Sequence, residues 1–360
     1  MPSPLTPGRR LRIQRSVLNW YRANRRDLPW RANRDPYRIW VAEIMLQQTR
    51  INVVEPYYDR FLKVFPSVGV LAHARPRDVL QLWAGLGYYR RARNLHQAAR
   101  QIVARHGGVF PRTPEEALAL PGIGRYTAAA ILSIAYDAPL AALDGNVARV
   151  LARLSAIRGD LREPQRWRKL ASNAQEVLAA HAPGDWNQAL MELGETICTP
   201  RIPRCSLCPV SRWCNAHRCG LTGQIPTARR KRDSVKLRIA AAVLHDPRGR
   251  TMLVRDPGVH DDVLFSRMWQ FPAVEVMHDP AAELRAHLRE LLKIETVSLK
   301  LEPLRAASHG VTFRKITLLP YLVRVSRLSK ISRARIVPLA RLGHVAVSSA
   351  TRKIAAAALR

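Results

Sequence analysis

Four of the five cysteines, Cys198, Cys205, Cys208 and Cys214, follow the spacing C-x6-C-x2-C-x5-C. Thiols set this closely cannot staple a large secreted domain, and their spacing is that of a metal-binding loop. Zinc accepts four sulfurs, but commonly through two C-x2-C pairs joined by a longer loop. A single C-x2-C with unequal flanking gaps suits a loop wrapped around a bulkier [4Fe–4S] cubane, which the spacing favours over zinc. Cys219 falls outside the pattern. Two carboxylates are placed for acid–base work. Glu43 sits within Ile39-Trp40-Val41-Ala42-Glu43-Ile44-Met45-Leu46. On so apolar a helix face the ionised form is disfavoured, which fits the carboxyl to act as a general acid near neutral pH unless an arginine pairs with it. Asp144, in Leu143-Asp144-Gly145-Asn146, reads as the N-cap of a helix running through Leu154. At the edge of a nucleic-acid groove it can also face a developing positive charge. One acid kept protonated and one kept ionised can cleave a glycosidic bond through an oxocarbenium-like transition state.

The elements that must hold these groups are helical. Residues 9–218 show apolar positions at helical spacing over 56–63, 77–84, 89–104, 124–136 and 145–157, separated by Pro and Gly turn signals. Thr113 and Glu116 form a capping box with Pro114 at the first helical position. That helix ends at Leu120-Pro121-Gly122-Ile123-Gly124, and a second begins at once. Backbone N–H groups from Gly122 to Thr127, Gly124 included, can then face a phosphate; a plain helix–turn–helix corner is the alternative. After the cysteines the character changes. Residues 220–234, with Arg229-Arg230-Lys231-Arg232, read as a basic linker. Leu237–Leu244, Thr251–Arg255 and Lys315–Val325 are rich in β-formers, and 280–292 reads as a helix. The fold class is therefore multidomain: an all-α helical catalytic region over 1–219, the linker, and an α+β domain over 235–360.

The chain of 360 residues carries 59 Lys+Arg against 27 Asp+Glu, a net charge of +32 and a pI near 11.3. Such a field requires a polyanionic partner, nucleic acid first and an anionic membrane surface second. The excess is shared by both halves, so it is not a basic tail. Runs such as Arg22/Arg25/Arg26 and Arg90/Arg91/Arg93 read as solvated faces, some of which touch phosphate. With 47% hydrophobic residues each domain can bury a core. No apolar stretch opens the chain as a secretory signal, and the longest apolar run, Tyr126 to Leu143, is broken by Asp137 and Pro139. The expectation is a soluble protein of the cytoplasm, associated with the nucleoid in a bacterium.

Taken together, these residues resemble the helix-hairpin-helix DNA glycosylase superfamily. Leu120-Pro121-Gly122-Ile123-Gly124 looks like its hairpin, Asp144 its catalytic acid and the four cysteines its iron–sulfur loop, over 9–218 of the chain. Within the superfamily, residues 28–50 are similar to the signature of the adenine DNA glycosylase (MutY) family, with Glu43 at the proton donor. The endonuclease III branch has a lysine where this chain has Tyr126, so the resemblance implies a glycosylase without lyase activity. It implies that adenine opposite 8-oxoguanine or guanine is flipped from duplex DNA into a pocket of Arg31, Trp30, Leu46, Tyr126 and Gln188. There Glu43 protonates the base and Asp144 stabilises the sugar cation, assisted by Tyr126 and Asn146, leaving an abasic site for base excision repair. Gln48 and Tyr88 match positions that wedge into the base stack, and Thr49 and Leu86 lie beside the opposite base.

The second domain resembles that family's Nudix-like module, which reads 8-oxoguanine. Met268-Trp269-Gln270-Phe271-Pro272 looks like its W-x-F-P segment, while Ala281–Glu295 lacks a catalytic Nudix box. Ser308 and His309 match its recognition loop, although Ala307 replaces an aromatic residue, which implies weaker preference for 8-oxoguanine. The implied enzyme acts as a monomer. Two other readings are an endonuclease III-like glycosylase/lyase acting on another base, and a non-enzymatic DNA-binding iron–sulfur protein.

Overall fold

Helices form where the apolar spacing demands them. The computed structural model describes residues 6–227, 234–255, 268–293, 299–311, 313–329, 331–345 and 347–359. The run Arg229–Arg232 and the rest of 228–233 lie outside the described residues. The chain divides into two units, Met1–Pro76 with Arg90–Arg230, and Arg77–Tyr89 with Lys231–Arg360.

The first unit is all-α among its described residues. Five of its helices, Pro7–Asn24, Pro36–Leu46, Pro114–Leu118, Pro164–Glu176 and Pro183–Thr196, start on proline. There the missing N–H has no intrahelical partner to lose and the fixed φ is already helical. Thr113 caps its helix by accepting from the Glu116 N–H and donates its hydroxyl to the Glu116 carboxylate at 2.7 Å. The Pro183–Thr196 helix is central, packing against Pro7–Asn24, Arg125–Tyr136 and Gly145–Leu154. Tyr21, Leu151, Trp186, Ala189 and Leu193 are buried in their shared core. Gly194 sets the closeness of one crossing: a Cβ there would stand 2.8 Å from the Asn146 Cβ and 3.0 Å from the Asn146 carbonyl oxygen. The Pro36–Leu46 helix packs on Arg125–Tyr136, which brings its Glu43 face toward the same centre.

The second unit is α+β, as the sequence implies. Its strands are β1 (Val235–His245), β2 (Arg250–Arg255), β3 (Trp269–Gln270), β4 (Ala273–Glu275), β5 (Leu301–Pro303), β6 (Ala307–Val311), β7 (Arg314–Arg324) and β8 (Ala334–Pro338). They form one mixed sheet, with β1 and β7 parallel and the other pairs antiparallel. Successive residues of a strand face opposite sides, and both sides of β1 are covered. Ala240, Ala242 and Leu244 pack with Leu284 and Leu288 of the Pro280–Leu292 helix. Ala241 and Val243 pack with Ile354 and Ala355 of the Ser349–Ala358 helix. Double coverage explains why β1 is a continuous apolar run rather than an alternating one. The structure corrects one expectation: Ala307-Ser308-His309 is the start of strand β6 rather than a loop, with Ser308 opposite Thr317 and His309 opposite Ile316. No described helix is long and apolar enough to cross a membrane.

Candidate active site

Helical spacing within the first unit builds a cavity of about 430 Å³. Ile39, Glu43 and Leu46 stand at i, i+4 and i+7 on the Pro36–Leu46 helix. Gln188, Met191, Glu192 and Glu195 form an equivalent face of Pro183–Thr196, and all seven line the cavity. Trp30 and Arg31 reach it from the Pro29–Arg31 turn, Gln48 and Thr49 from the segment after Leu46, Tyr126 from Arg125–Tyr136, and Asp144 and Asn146 from the start of Gly145–Leu154. The size lies in the range of small-molecule sites, and apolar walls with a few converging polar groups are typical of them.

Glu43 is buried, with 8% of its surface exposed. Burial pushes its carboxyl up to about 7; the nearby Asp144 adds to the rise, while a hydrogen bond with Tyr126 and the charge of Arg31 oppose it. Asp144 is also raised by burial, but the N–H groups of Val147 and Asn146 hold its ionised form. The Val147 N–H donates to its Oδ1 at 2.7 Å, the N-cap bond expected from sequence. The two carboxyls thus differ in kind. One sits among apolar groups and keeps its proton; the other meets the open N-terminus of a helix, which favours the anion.

The surrounding groups are tied down. Arg31 donates to Glu192 at 2.8 Å and to the Arg26 carbonyl at 3.1 Å, with its guanidinium 5.5 Å from the centre of the Tyr21 ring. Arg26 pairs with Glu192 at 2.6 Å and with Glu195 at 2.7 Å. Burial alone would raise the Glu192 carboxyl, but the two arginines hold it below the usual carboxylate range. Neither Glu192 nor Glu195 was expected as part of the site. Their only sequence signal is their helical register with Gln188, because their partners lie more than 150 residues away. Asn146 accepts from Arg149 at 2.9 Å. Arg91, read from sequence as part of a solvated run, is instead buried and donates to the carbonyls of Ile44 at 3.0 Å and Met45 at 2.8 Å. It satisfies the otherwise unpaired C-terminal carbonyls of the helix that carries Glu43.

At the hairpin, Gly122 has φ +81°, and a Cβ there would meet Asn94 at 2.8 Å. Gly124 is the N-cap of Arg125–Tyr136 and supplies no side-chain cap. The first-turn N–H groups of that helix, unlike those after Thr113, therefore have no side-chain acceptor from the cap residue. Thr127 contributes only its backbone there, because its side chain is buried and accepts from Gln47 at 3.3 Å. Gln48 and Tyr88 both hold left-handed backbones, φ +58° and +46°. Leu86, buried, and Tyr88, 45% exposed, belong to the second unit with Ser308 and His309. The Ser308 carbonyl accepts from Lys353 at 2.6 Å, and burial lowers the His309 imidazole.

The four cysteines lie on the short turns that follow Thr196. Burial pushes the Cys208 thiol up to about 12 and raises those of Cys205 and Cys214, each of which also feels the charge of Cys198. Arg153, fully buried, donates to the Cys198 Sγ at 3.2 Å. Among the described residues no three His, Cys, Asp or Glu groups converge as a single bound ion would require. A cubane gives each thiolate its own iron and needs no such convergence. Three thiols raised by burial, beside a fourth that accepts from a buried cation, are a donor set that would be ionised by a metal cluster if one bound there. Cys219 is exposed and apart.

Residues 41–176 match the family described as HhH-GPD superfamily base excision DNA repair protein. The solved structure of a thermostable thymine-DNA glycosylase superposes with a TM-score of 0.54 at 30% identity, over 58% of this chain and 97% of that one. The chain belongs to the HhH-GPD superfamily. It is also 46% identical over 214 residues to the adenine DNA glycosylase of Rattus norvegicus, covering 57% of this chain and 42% of that protein. The adenine DNA glycosylase of Arabidopsis thaliana matches at 37% over 302 residues, 73% of this chain and 47% of its own length. The chain thus spans less than half the length of these two relatives.

Proposed function

We propose that this protein is a monofunctional adenine DNA glycosylase that removes adenine mispaired with 8-oxoguanine or guanine from duplex DNA. The observation that carries the reading is the pairing, in one cavity, of a buried carboxyl raised to about 7 with a helix-capping aspartate. A flipped adenine enters the cavity and Glu43 donates its proton to N7, so the base can leave with the electron pair of the C1′–N9 bond. Asp144 faces the sugar cation, and Tyr126 and Asn146 hold the two carboxyls in place. Water adds at C1′, loses its proton and leaves an abasic site. Tyr126 supplies no amine for a Schiff base, which supports hydrolysis without strand cleavage. Arg31, Trp30, Leu46 and Gln188 shape the base pocket, and Gln48 and Thr49 meet the opened stack. The uncapped N–H groups after Gly124 take a backbone phosphate, as helix N-termini do.

Cys198, Cys205, Cys208 and Cys214 would hold a [4Fe–4S] cluster, which ties the loop together when bound. The second unit would read 8-oxoguanine through the segment around Ser308 and His309 in a Nudix-like fold, and the enzyme would work as a monomer on cytoplasmic DNA. The test is a single-turnover assay on a duplex with one A·8-oxoguanine pair, analysed with and without alkali. A break at the adenine only after alkali is expected. A break without alkali, or none in either condition, would overturn the reading.

A further inference from the structure

Between the Arg125–Tyr136 helix and the helix that Asp144 caps, residues 137–144 form neither helix nor strand. The backbone there is gripped by two side-chain amides that have no part in the mechanism above. Asn187, 2% exposed on the Pro183–Thr196 helix, donates from Nδ2 to the Leu140 carbonyl at 2.8 Å. Its Oδ1 accepts from the Ala142 N–H at 3.0 Å, and Nδ2 also donates to the Ser133 Oγ at 2.8 Å. Gln175, exposed on the Pro164–Glu176 helix, repeats the pattern one residue out of step. Its Nε2 donates to the Pro139 carbonyl at 2.8 Å, and its Oε1 accepts from the Ala141 N–H at 3.0 Å. A carbonyl and the N–H two residues on are the pair that a strand presents along one edge. Each amide thus stands where a residue of a neighbouring strand would, one for the even-numbered residues and one for the odd.

We infer that Asn187 and Gln175 are positioning residues for Asp144: their paired grips on residues 139–142 fix the path by which the chain delivers that carboxylate to the cavity. This rests on the reading of Asp144 as the group that faces the sugar cation, and deepens it. The cap bond from Val147 fixes Asp144 to its own helix, but not the strand-like segment that leads into it. From 138 to 143 that segment reads Ala-Pro-Leu-Ala-Ala-Leu, with no polar side chain to hold its own backbone. Its N–H and carbonyl groups must therefore be satisfied from outside. Asn187 does so from the helix whose next residue, Gln188, lines the cavity. Gly184, three residues earlier, sets the reach: a Cβ there would stand 2.6 Å from the Ser133 carbonyl oxygen. The two helices meet closely enough there for one amide to bridge Ser133 and the segment. Neither amide can be flipped without setting N–H against N–H and oxygen against oxygen, so each grip has a single register.

The test compares wild type with Asn187→Leu, which removes all three bonds, and with Gln175→Ala, which loosens the outer grip at an exposed position and so spares the core. Single-turnover adenine release from an A·8-oxoguanine duplex is measured against enzyme concentration, which separates the limiting rate from half-saturation. Amide hydrogen exchange is followed at Val147, whose N–H makes the cap bond, and at Leu151 in the same helix. The limiting rate should fall about 10- to 100-fold in Asn187→Leu and about 3- to 10-fold in Gln175→Ala. Half-saturation should stay within about 2-fold of wild type in both, because binding does not need the carboxylate in place. Val147 should exchange faster in both variants while Leu151 stays protected. Unchanged limiting rates, a loss carried by half-saturation, or Val147 exchange that is unaltered or rises equally at Leu151 would overturn the inference. If Asn187→Leu does not fold, Gln175→Ala decides by the same criteria. If wild type fails to release adenine, the proposed function fails, while exchange at Val147 still decides whether the two amides hold the Asp144 cap.

Discussion

At the residue scale, the site depends on one largely buried carboxyl on the wall of the cavity. Glu43 has an ordinary carboxyl value of 4.5 and is raised to about 7 by burial. The folded state therefore binds its proton more tightly than the unfolded state. That contribution to stability is full below pH 4.5 and is lost as pH rises through 7. Glu43→Gln, which removes the ionisation, should be more stable than wild type at pH 8 by about 2–4 kcal/mol, converging on it near pH 4.5. Thermal unfolding across that range measures this, and equal stability at pH 8 would count against a buried acid. The same variant should bind a mispaired duplex normally while losing at least about 100-fold in excision rate. Glu192 behaves oppositely. Its side chain is 1% exposed and holds two arginines, so Glu192→Gln leaves buried positive charge under-compensated. It should cost about 2–3 kcal/mol and free Arg31 from its fixed position, read as a higher KM with a smaller change in kcat.

At the element scale, the helices were legible and the short strands were not. Apolar spacing is a local signal, and it placed Arg90–His106, Arg125–Tyr136 and Gly145–Leu154 within a few residues of where they lie. Strands β3, β4 and β5 have two or three residues each, too few for any period to show, and β6 contains Gly310 and polar residues that read as loop. The burial of Glu43 and the capping by Asp144 could be read from neighbours in sequence. The Arg26–Glu192–Arg31 network and the role of Arg91 could not, because nothing local pairs residues so far apart in the chain. The hairpin gives an element-scale prediction. Gly122→Ala would force a side chain onto a left-handed backbone and into Asn94, costing about 1–3 kcal/mol. It should weaken duplex binding for mispaired and fully paired DNA alike, as titrations of both would report; a loss confined to mispaired DNA would contradict a backbone role.

At the scale of the whole molecule, a charge of +32 spread over both units is a field rather than a site. Some of that charge is spent internally: Arg26, Arg31, Arg91, Arg149 and Arg153 hold carboxylates or backbone carbonyls. The remainder still suffices for several phosphate contacts. Duplex affinity should fall by about 100-fold or more between 50 and 200 mM salt, with a similar slope for mispaired and paired duplexes because phosphate contacts carry no sequence information. A slope near zero in a binding titration would mean that the arginines are not facing DNA.

The most direct measurement is the pH profile of single-turnover adenine release from an A·8-oxoguanine duplex, for wild type beside Glu43→Gln. The account predicts a wild-type rate that is high below pH 7 and declines above it, following the Glu43 carboxyl, and a variant that is nearly inactive throughout. A wild-type rate that rises through pH 7, or a variant that releases adenine as fast as wild type, would contradict Glu43 as the proton donor.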